Sequence, residues 1–139
     1  MVQLIIGEKG NGKTKYLLDL VNKNLETAEG NSVFIDNSTK HMYSLDRKIR
    51  LINFSDYDLK NKYEFVGFIA GILSQDNDIE YVYFDNYKRL ADVSNEELET
   101  SIYRLEELSK ITGVKFIATV SAVKDEIPEA IREYIVAEL

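Results

Sequence analysis

Gly7-Glu8-Lys9-Gly10-Asn11-Gly12-Lys13-Thr14 is a glycine- and lysine-rich segment near the start of the chain. It meets the pattern G-x-x-x-x-G-K-[ST] at every fixed position. The apolar run Val2 to Ile6 precedes it, and Leu17, Leu20, Val21, Leu25 and Ala28 follow at helical spacing. A buried strand that hands a glycine-rich loop to a helix N-terminus is the context in which this pattern cradles phosphate. Gly10 and Gly12 open backbone angles closed to other residues. The N–H groups from Lys9 to Thr14 can then form an anion-binding nest, reinforced by the positive end of the helix dipole. On this reading Gly7, Glu8, Lys9, Gly10, Asn11, Gly12, Lys13, Thr14 and Lys15 form the nucleotide-binding segment. Lys13 brings a point charge to the β- and γ-phosphates, and the Thr14 hydroxyl is a ligand for Mg²⁺.

Three further strands end in polar residues. Ile79 to Asp85 is apolar up to a single terminal carboxylate. A bare buried charge is costly, so a strand of this kind calls for a partner. Asp85 either caps the next turn with Asn86 or serves as the second acid of a phosphate site, holding Mg²⁺ opposite Thr14. Ser32-Val33-Phe34-Ile35 reads as a strand ending at Asp36, and Asp36-Asn37-Ser38-Thr39 as a turn. That turn sits at the carboxyl end of a parallel strand, the ligand side of an open α/β sheet. Val114 to Ser121 is another strand, with Thr119 and Ser121 either satisfying nearby backbone groups or sensing the γ-phosphate.

The remaining periodicity fills in the layers. Lys48 to Phe54 alternates as a strand with one wetter face, suited to a sheet edge. Tyr63 to Ser74 reads as a buried helix, too short for a bilayer, in which Gly67 and Gly71 share a face and allow close approach to the sheet. Ser94 to Ile111 is a helix opened by the capping box Ser94–Glu97 and ended by Gly113. Gly30 reads as the C-cap of the first helix. Pro128 to Tyr134 is a last helix, after which Tyr134 to Ala137 either continues it or forms a short strand. No linker, repeat or low-complexity tract divides residues 1–139, so a single nucleotide-binding domain is expected.

Composition narrows the function. There are 17 basic and 24 acidic residues, a net charge of −7, which argues against a nucleic-acid partner. The chain has no cysteine and one histidine, His41, which reads as a surface or packing residue and argues against a zinc site. No apolar run reaches membrane-span length and no signal segment is visible, so a cytoplasmic protein is expected. No Asn-Lys-x-Asp motif is present to read guanine, which favours ATP and leaves GTP open.

The loop at Gly7 to Thr14, followed far downstream by an apolar strand ending in Asp85, resembles the Walker A and Walker B pair of P-loop NTPases. A strand between the two motifs and a polar-ended strand after the second resemble the RecA-like, additional-strand division. In that division the strand after Walker B inserts between the two motif strands. The resemblance implies a three-layer α/β fold: a mainly parallel sheet of about five strands with helices on both faces. The chain also resembles short bacterial P-loop proteins labelled PilT-type twitching-motility ATPases, without matches for the histidine and further acidic boxes of the longer motility enzymes. Many additional-strand ATPases place a Glu after the Walker B Asp, where this chain has Asn86. RecA- and KaiC-like proteins keep an acid at the end of the second strand, which makes Asp36 the candidate for activating water. The implied function is a Mg²⁺-dependent ATP-binding protein that hydrolyses slowly as a switch or assembly factor. Lys88-Arg89 or Arg132 could stabilise transition-state charge, including across a subunit interface, and a homo-oligomer or protein partner is the expected association. A small-molecule kinase and a non-hydrolysing nucleotide sensor are the alternatives.

Overall fold

A computed structural model describes residues 1–139. Six strands form one sheet: β1 (Val2–Gly7), β2 (Asn31–Asp36), β3 (Arg50–Asn53), β4 (Ile79–Phe84), β5 (Lys115–Ser121) and β6 (Ile135–Glu138). Their spatial order is β3-β2-β4-β5-β1-β6, and every pairing is parallel. The four main helices are α1 (Lys13–Leu25), α2 (Lys62–Gln75), α3 (Tyr87–Ala91) and α4 (Leu98–Thr112). β5 lies between β1 and β4, as expected of the additional-strand arrangement.

Strand alternation sorts the core into two sides. Leu4, Ile6, Val33, Ile35, Val82, Phe84, Phe116 and Ala118 join the larger cluster, with Phe65, Ile69 and Leu73 of α2 and Leu98, Ile102 and Leu105 of α4. Their neighbours Ile5, Phe34, Tyr83 and Ile117 join the smaller one, with Leu17, Leu18 and Val21 of α1. A sheet whose successive side chains are apolar on both faces must be covered on both, which is why these strands read as nearly continuous apolar runs. The carboxyl ends of β1, β2, β4 and β5 all open on one rim because the sheet is parallel. That rim gathers Gly7, Asp36, Asp85 and Ser121.

The sheet has six strands, not about five. The sixth, Ile135–Glu138, resolves the choice left at the C-terminus: it pairs with β1 at the sheet edge, and Leu139 N–H donates to the Ile6 carbonyl at 2.9 Å. Four residues are too few for periodicity to separate strand from helix. Pro128 precedes a 3₁₀-helix, Glu129–Tyr134, rather than opening an α-helix. The expected edge strand is β3, shortened to four residues. The capping box is present: Glu97 N–H donates to Ser94 Oγ at 3.3 Å, and Ser94 N–H to a Glu97 carboxylate oxygen at 3.0 Å. It closes the turn before α4, which begins at Leu98. Gly113 ends that helix in the left-handed region, at φ 78°.

Two glycine readings are corrected. Gly67 and Gly71 are exposed, and a Cβ at either meets nothing within 4 Å. The sheet-facing positions of α2 are Phe65, Ile69 and Leu73. Gly30 is not a helix cap, since α1 ends at Leu25. It is a point of close approach, where a Cβ would lie 2.4 Å from the Asp78 carbonyl oxygen and 2.9 Å from Glu80 Cβ. Opposite effects are expected from the same substitution. Gly67→Ala should raise stability by about 0.5–1 kcal/mol, because it removes backbone freedom from an exposed helix interior. Gly30→Ala should lower it by about 1–3 kcal/mol, because backbone must move. Urea denaturation of the two variants measures both, and a destabilised Gly67→Ala would overturn the assignment of the α2 face.

Candidate functional site: a polar cleft at the strand ends

The loop between β1 and α1 has the conformation its glycines allow. Gly10 and Gly12 both have φ of 87°, in the left-handed region. Asn11 N–H donates to the Glu8 carbonyl at 3.2 Å and closes the turn. The N–H groups of Gly10, Gly12, Lys13, Thr14 and Lys15 donate to no backbone carbonyl. A helix start always leaves such donors, and here the glycine turn extends the row. Lys13 is 8% exposed, and its Nζ donates to the Glu8 carbonyl at 3.0 Å, so the ammonium is held across the loop. Burial pulls its pKa below the ordinary lysine value, and Asp85 partly offsets this.

Asp85, just past β4, is 7% exposed and accepts from two hydroxyls. Thr14 Oγ1 lies 3.2 and 3.0 Å from the two carboxylate oxygens, and Thr119 Oγ1 donates at 2.8 Å. The sequence pair Thr14–Asp85 is therefore in direct contact across 71 residues of chain. Thr119, on β5, also accepts the Asn86 N–H at 2.7 Å. Asn86 itself has φ 62° and ψ 63°, a left-handed conformation that asparagine tolerates better than most residues. The residue after Asp85 thus has a backbone reason to be Asn. Thr119 clamps the carboxylate to the turn that follows it; its bond to the Asn86 N–H is the backbone role the sequence offers, and its bond to Asp85 lies outside that expectation. Ser121 lies at the end of β5, in register with Gly7.

Thr119→Val, similar in shape, removes both bonds at once. It should cost about 1–3 kcal/mol in urea denaturation, with Thr119→Ser retaining most of the stability. Equal stability of the Val variant and the wild type would show that the clamp is dispensable.

Asp36 ends β2 beside this pair and is 6% exposed. Its Oδ1 accepts the Asn37 N–H at 2.7 Å, a local turn bond, while its buried Oδ2 has no hydrogen-bond partner. Burial raises the Asp36 pKa above the usual carboxylate value; the Asn37 N–H opposes the shift and the Asp85 charge adds to it. Asn37, with its amide oxygen turned to α3, accepts from Arg89 Nε at 3.2 Å and Nη2 at 2.9 Å. His41, expected as a surface or packing residue, lies next to Asp36 and Asp85. It is half-buried, and a ring nitrogen lies with carboxylate oxygens of Asp36 and Asp85 in a group whose atoms are all within 4.8 Å of one another.

Asp36, Asn37, Asp85, Asn86, Arg89 and Thr119 line one cleft of about 670 Å³ with no apolar side chain in its wall. Lys9, Lys13, Lys40 and Arg89 line it against the two carboxylates Asp36 and Asp85. A chain of net charge −7 therefore carries a locally cationic cleft, suited to a polyanion. The loop residues Lys9, Gly10, Gly12, Lys13 and Thr14 and the polar ends Thr119 and Ser121 all reach it. Arg132 does not: its guanidinium donates to the carbonyls of Ile127 and Asp125.

No family model matches the chain, and no curated protein matches it. The resemblance to PilT-labelled proteins thus rests on the motif residues alone. Among solved structures, the chain is similar to the flagellar accessory protein FlaH from Methanocaldococcus jannaschii, at 14% sequence identity and a TM-score of 0.62. The match covers 94% of this chain and 64% of the FlaH chain. At that identity the likeness concerns the fold, and it is consistent with a RecA-like P-loop fold. No helix is long and apolar enough to cross a membrane.

Proposed function

We propose that the chain binds ATP with Mg²⁺ in this cleft and hydrolyses it slowly, acting as a switch or assembly factor. The observation that carries the reading is the contact of the Thr14 hydroxyl with the Asp85 carboxylate, beside a row of unpaired N–H groups. The loop donors and Lys13 bind the phosphates. Thr14 and Asp85 offer hard oxygen donors on neighbouring elements, a set that suits Mg²⁺ bound by few protein ligands and by phosphate. When bound there, the ion supplies charge neutralisation to the β- and γ-phosphates. Asp36 orients the attacking water from the next strand end. Ser121 senses the phosphate end while Thr119 holds Asp85 in place, and Arg89 balances charge developing there.

Asn86 in its left-handed turn favours a second reading, a nucleotide sensor that does not hydrolyse, because no Glu follows Asp85 to act as a base. Calorimetric titration with ATP, with Mg²⁺ and then with EDTA, tests binding; phosphate release at saturation tests turnover. Absence of binding would end both readings. Tight binding without release under any condition would select the sensor. Phosphate delivered to an added acceptor would instead identify a kinase.

A further inference from the structure

The geometry points to a transition-metal dication site formed by Asp36, His41 and Asp85, a site that goes beyond the nucleotide reading and needs no nucleotide to form. Three donors of mixed type converge from separate places in the chain: the end of β2, the turn after it and the end of β4. Their ligand atoms lie within 4.8 Å of one another. Donors bound to one Zn²⁺ at about 2.0–2.2 Å lie roughly 3.4 Å apart in a tetrahedron. Closure of the widest pair by at most about 1.4 Å would complete the set.

The second, independent observation is Asp36. It is 94% buried, and its Oδ2 has no partner. A carboxylate oxygen left bare in the interior is expensive unless something binds it. No lysine or arginine forms an ion pair with Asp36 or Asp85, although both carboxylates face a cleft that contains four cations. The ammonium of Lys13 is instead occupied with the Glu8 carbonyl, and Arg89 with Asn37. A dication would satisfy the free oxygen and separate two facing negative charges in one step.

Ligand chemistry sets the class. One imidazole nitrogen with two carboxylates suits Zn²⁺, Mn²⁺ or Co²⁺, whereas Mg²⁺ prefers oxygen alone and retains its water. Three protein ligands leave an open position, the arrangement of zinc sites that also take water or an anion. The same cleft then has two cation preferences, which His41 distinguishes: Thr14 and Asp85 for Mg²⁺ with nucleotide, and Asp36, His41 and Asp85 for a softer ion.

The test is a titration of the full, tag-free chain with Zn²⁺ in the absence of nucleotide, with Mg²⁺ as the comparison ion. One equivalent should bind, Mg²⁺ should bind at least tenfold more weakly, and His41→Ala should weaken Zn²⁺ at least tenfold. Co²⁺ supplies a second readout: its visible absorption should show a His41-dependent band. Asp36→Asn keeps the side-chain shape and the acceptor for the Asn37 N–H, so it covers the case in which the histidine variant misfolds. It too should lose Zn²⁺. Several weak equivalents, equal affinity for Mg²⁺, or unchanged Zn²⁺ binding in folded His41→Ala or Asp36→Asn would each overturn the site. Because the cell contains no nucleotide, failure of ATP binding does not affect the result, nor the reverse.

Discussion

Lys13→Ala is expected to lower the affinity for ATP with Mg²⁺ on the order of a hundredfold. A hydrogen bond to a charged group is worth about 1.5–3 kcal/mol, which is roughly ten- to hundredfold in affinity. Lys13 should fall at the upper end because it is already 8% exposed and already oriented. Its Nζ is held against the Glu8 carbonyl at 3.0 Å, so little freedom remains to be lost on binding. Burial lowers its pKa, and the negative charge of a bound phosphate would oppose that shift. Lys13→Arg keeps the charge but not the compact head, and should recover only part of the affinity. Calorimetry in low salt is the measurement. An Ala variant that binds within threefold of the wild type would show that the loop does not hold the phosphates, whatever its sequence.

Much of the rim was legible because its logic is local. Glycine and lysine spacing between an apolar strand and a helix specifies Gly7 to Thr14, and an apolar strand ending in one acid specifies Asp85. The meeting of Thr14 and Asp85 follows from parallel strands sharing an edge. His41 was not legible: a single histidine in an aperiodic segment gives no pattern, and only the path of the turn after Asp36 brings it to the carboxylates. Gly67 and Gly71 do share a face, but which face is decided by Phe65, Ile69 and Leu73 competing for the sheet. Asn86 looked like a departure in catalytic chemistry, and its φ of 62° supplies a conformational cause that no spacing reveals. At the C-terminus the pattern left strand and helix open, because pairing with β1, rather than its own four residues, makes β6 a strand.

Asp85→Asn should separate the two acids of the rim. The amide keeps an oxygen to accept from Thr119 and places its NH₂ beside Thr14, whose hydroxyl can turn to accept it. Both side-chain bonds survive with donor and acceptor exchanged at one of them, so stability should change by no more than about 1 kcal/mol. What is lost is an anionic oxygen for the cation. ATP binding measured with Mg²⁺ should fall at least about tenfold, to the value measured in EDTA. Asp36→Asn keeps its turn bond to Asn37 and leaves Thr14 and Asp85 untouched. Its affinity with Mg²⁺ should stay within about threefold of the wild type, while phosphate release falls by about 10²-fold, the usual loss of a positioned base. Two results would change the roles. If Asp85→Asn retained the full Mg²⁺ effect, Asp85 would be an anchor for the Thr14 and Thr119 hydroxyls and nothing more. If Asp36→Asn lost affinity in step with Asp85→Asn, both acids would be holding the nucleotide's cation, and the water would need another neighbour. Metal-stripped buffers are essential to the comparison, because a trace of Zn²⁺ on Asp36, His41 and Asp85 would make the wild type differ from both variants for a reason unrelated to Mg²⁺.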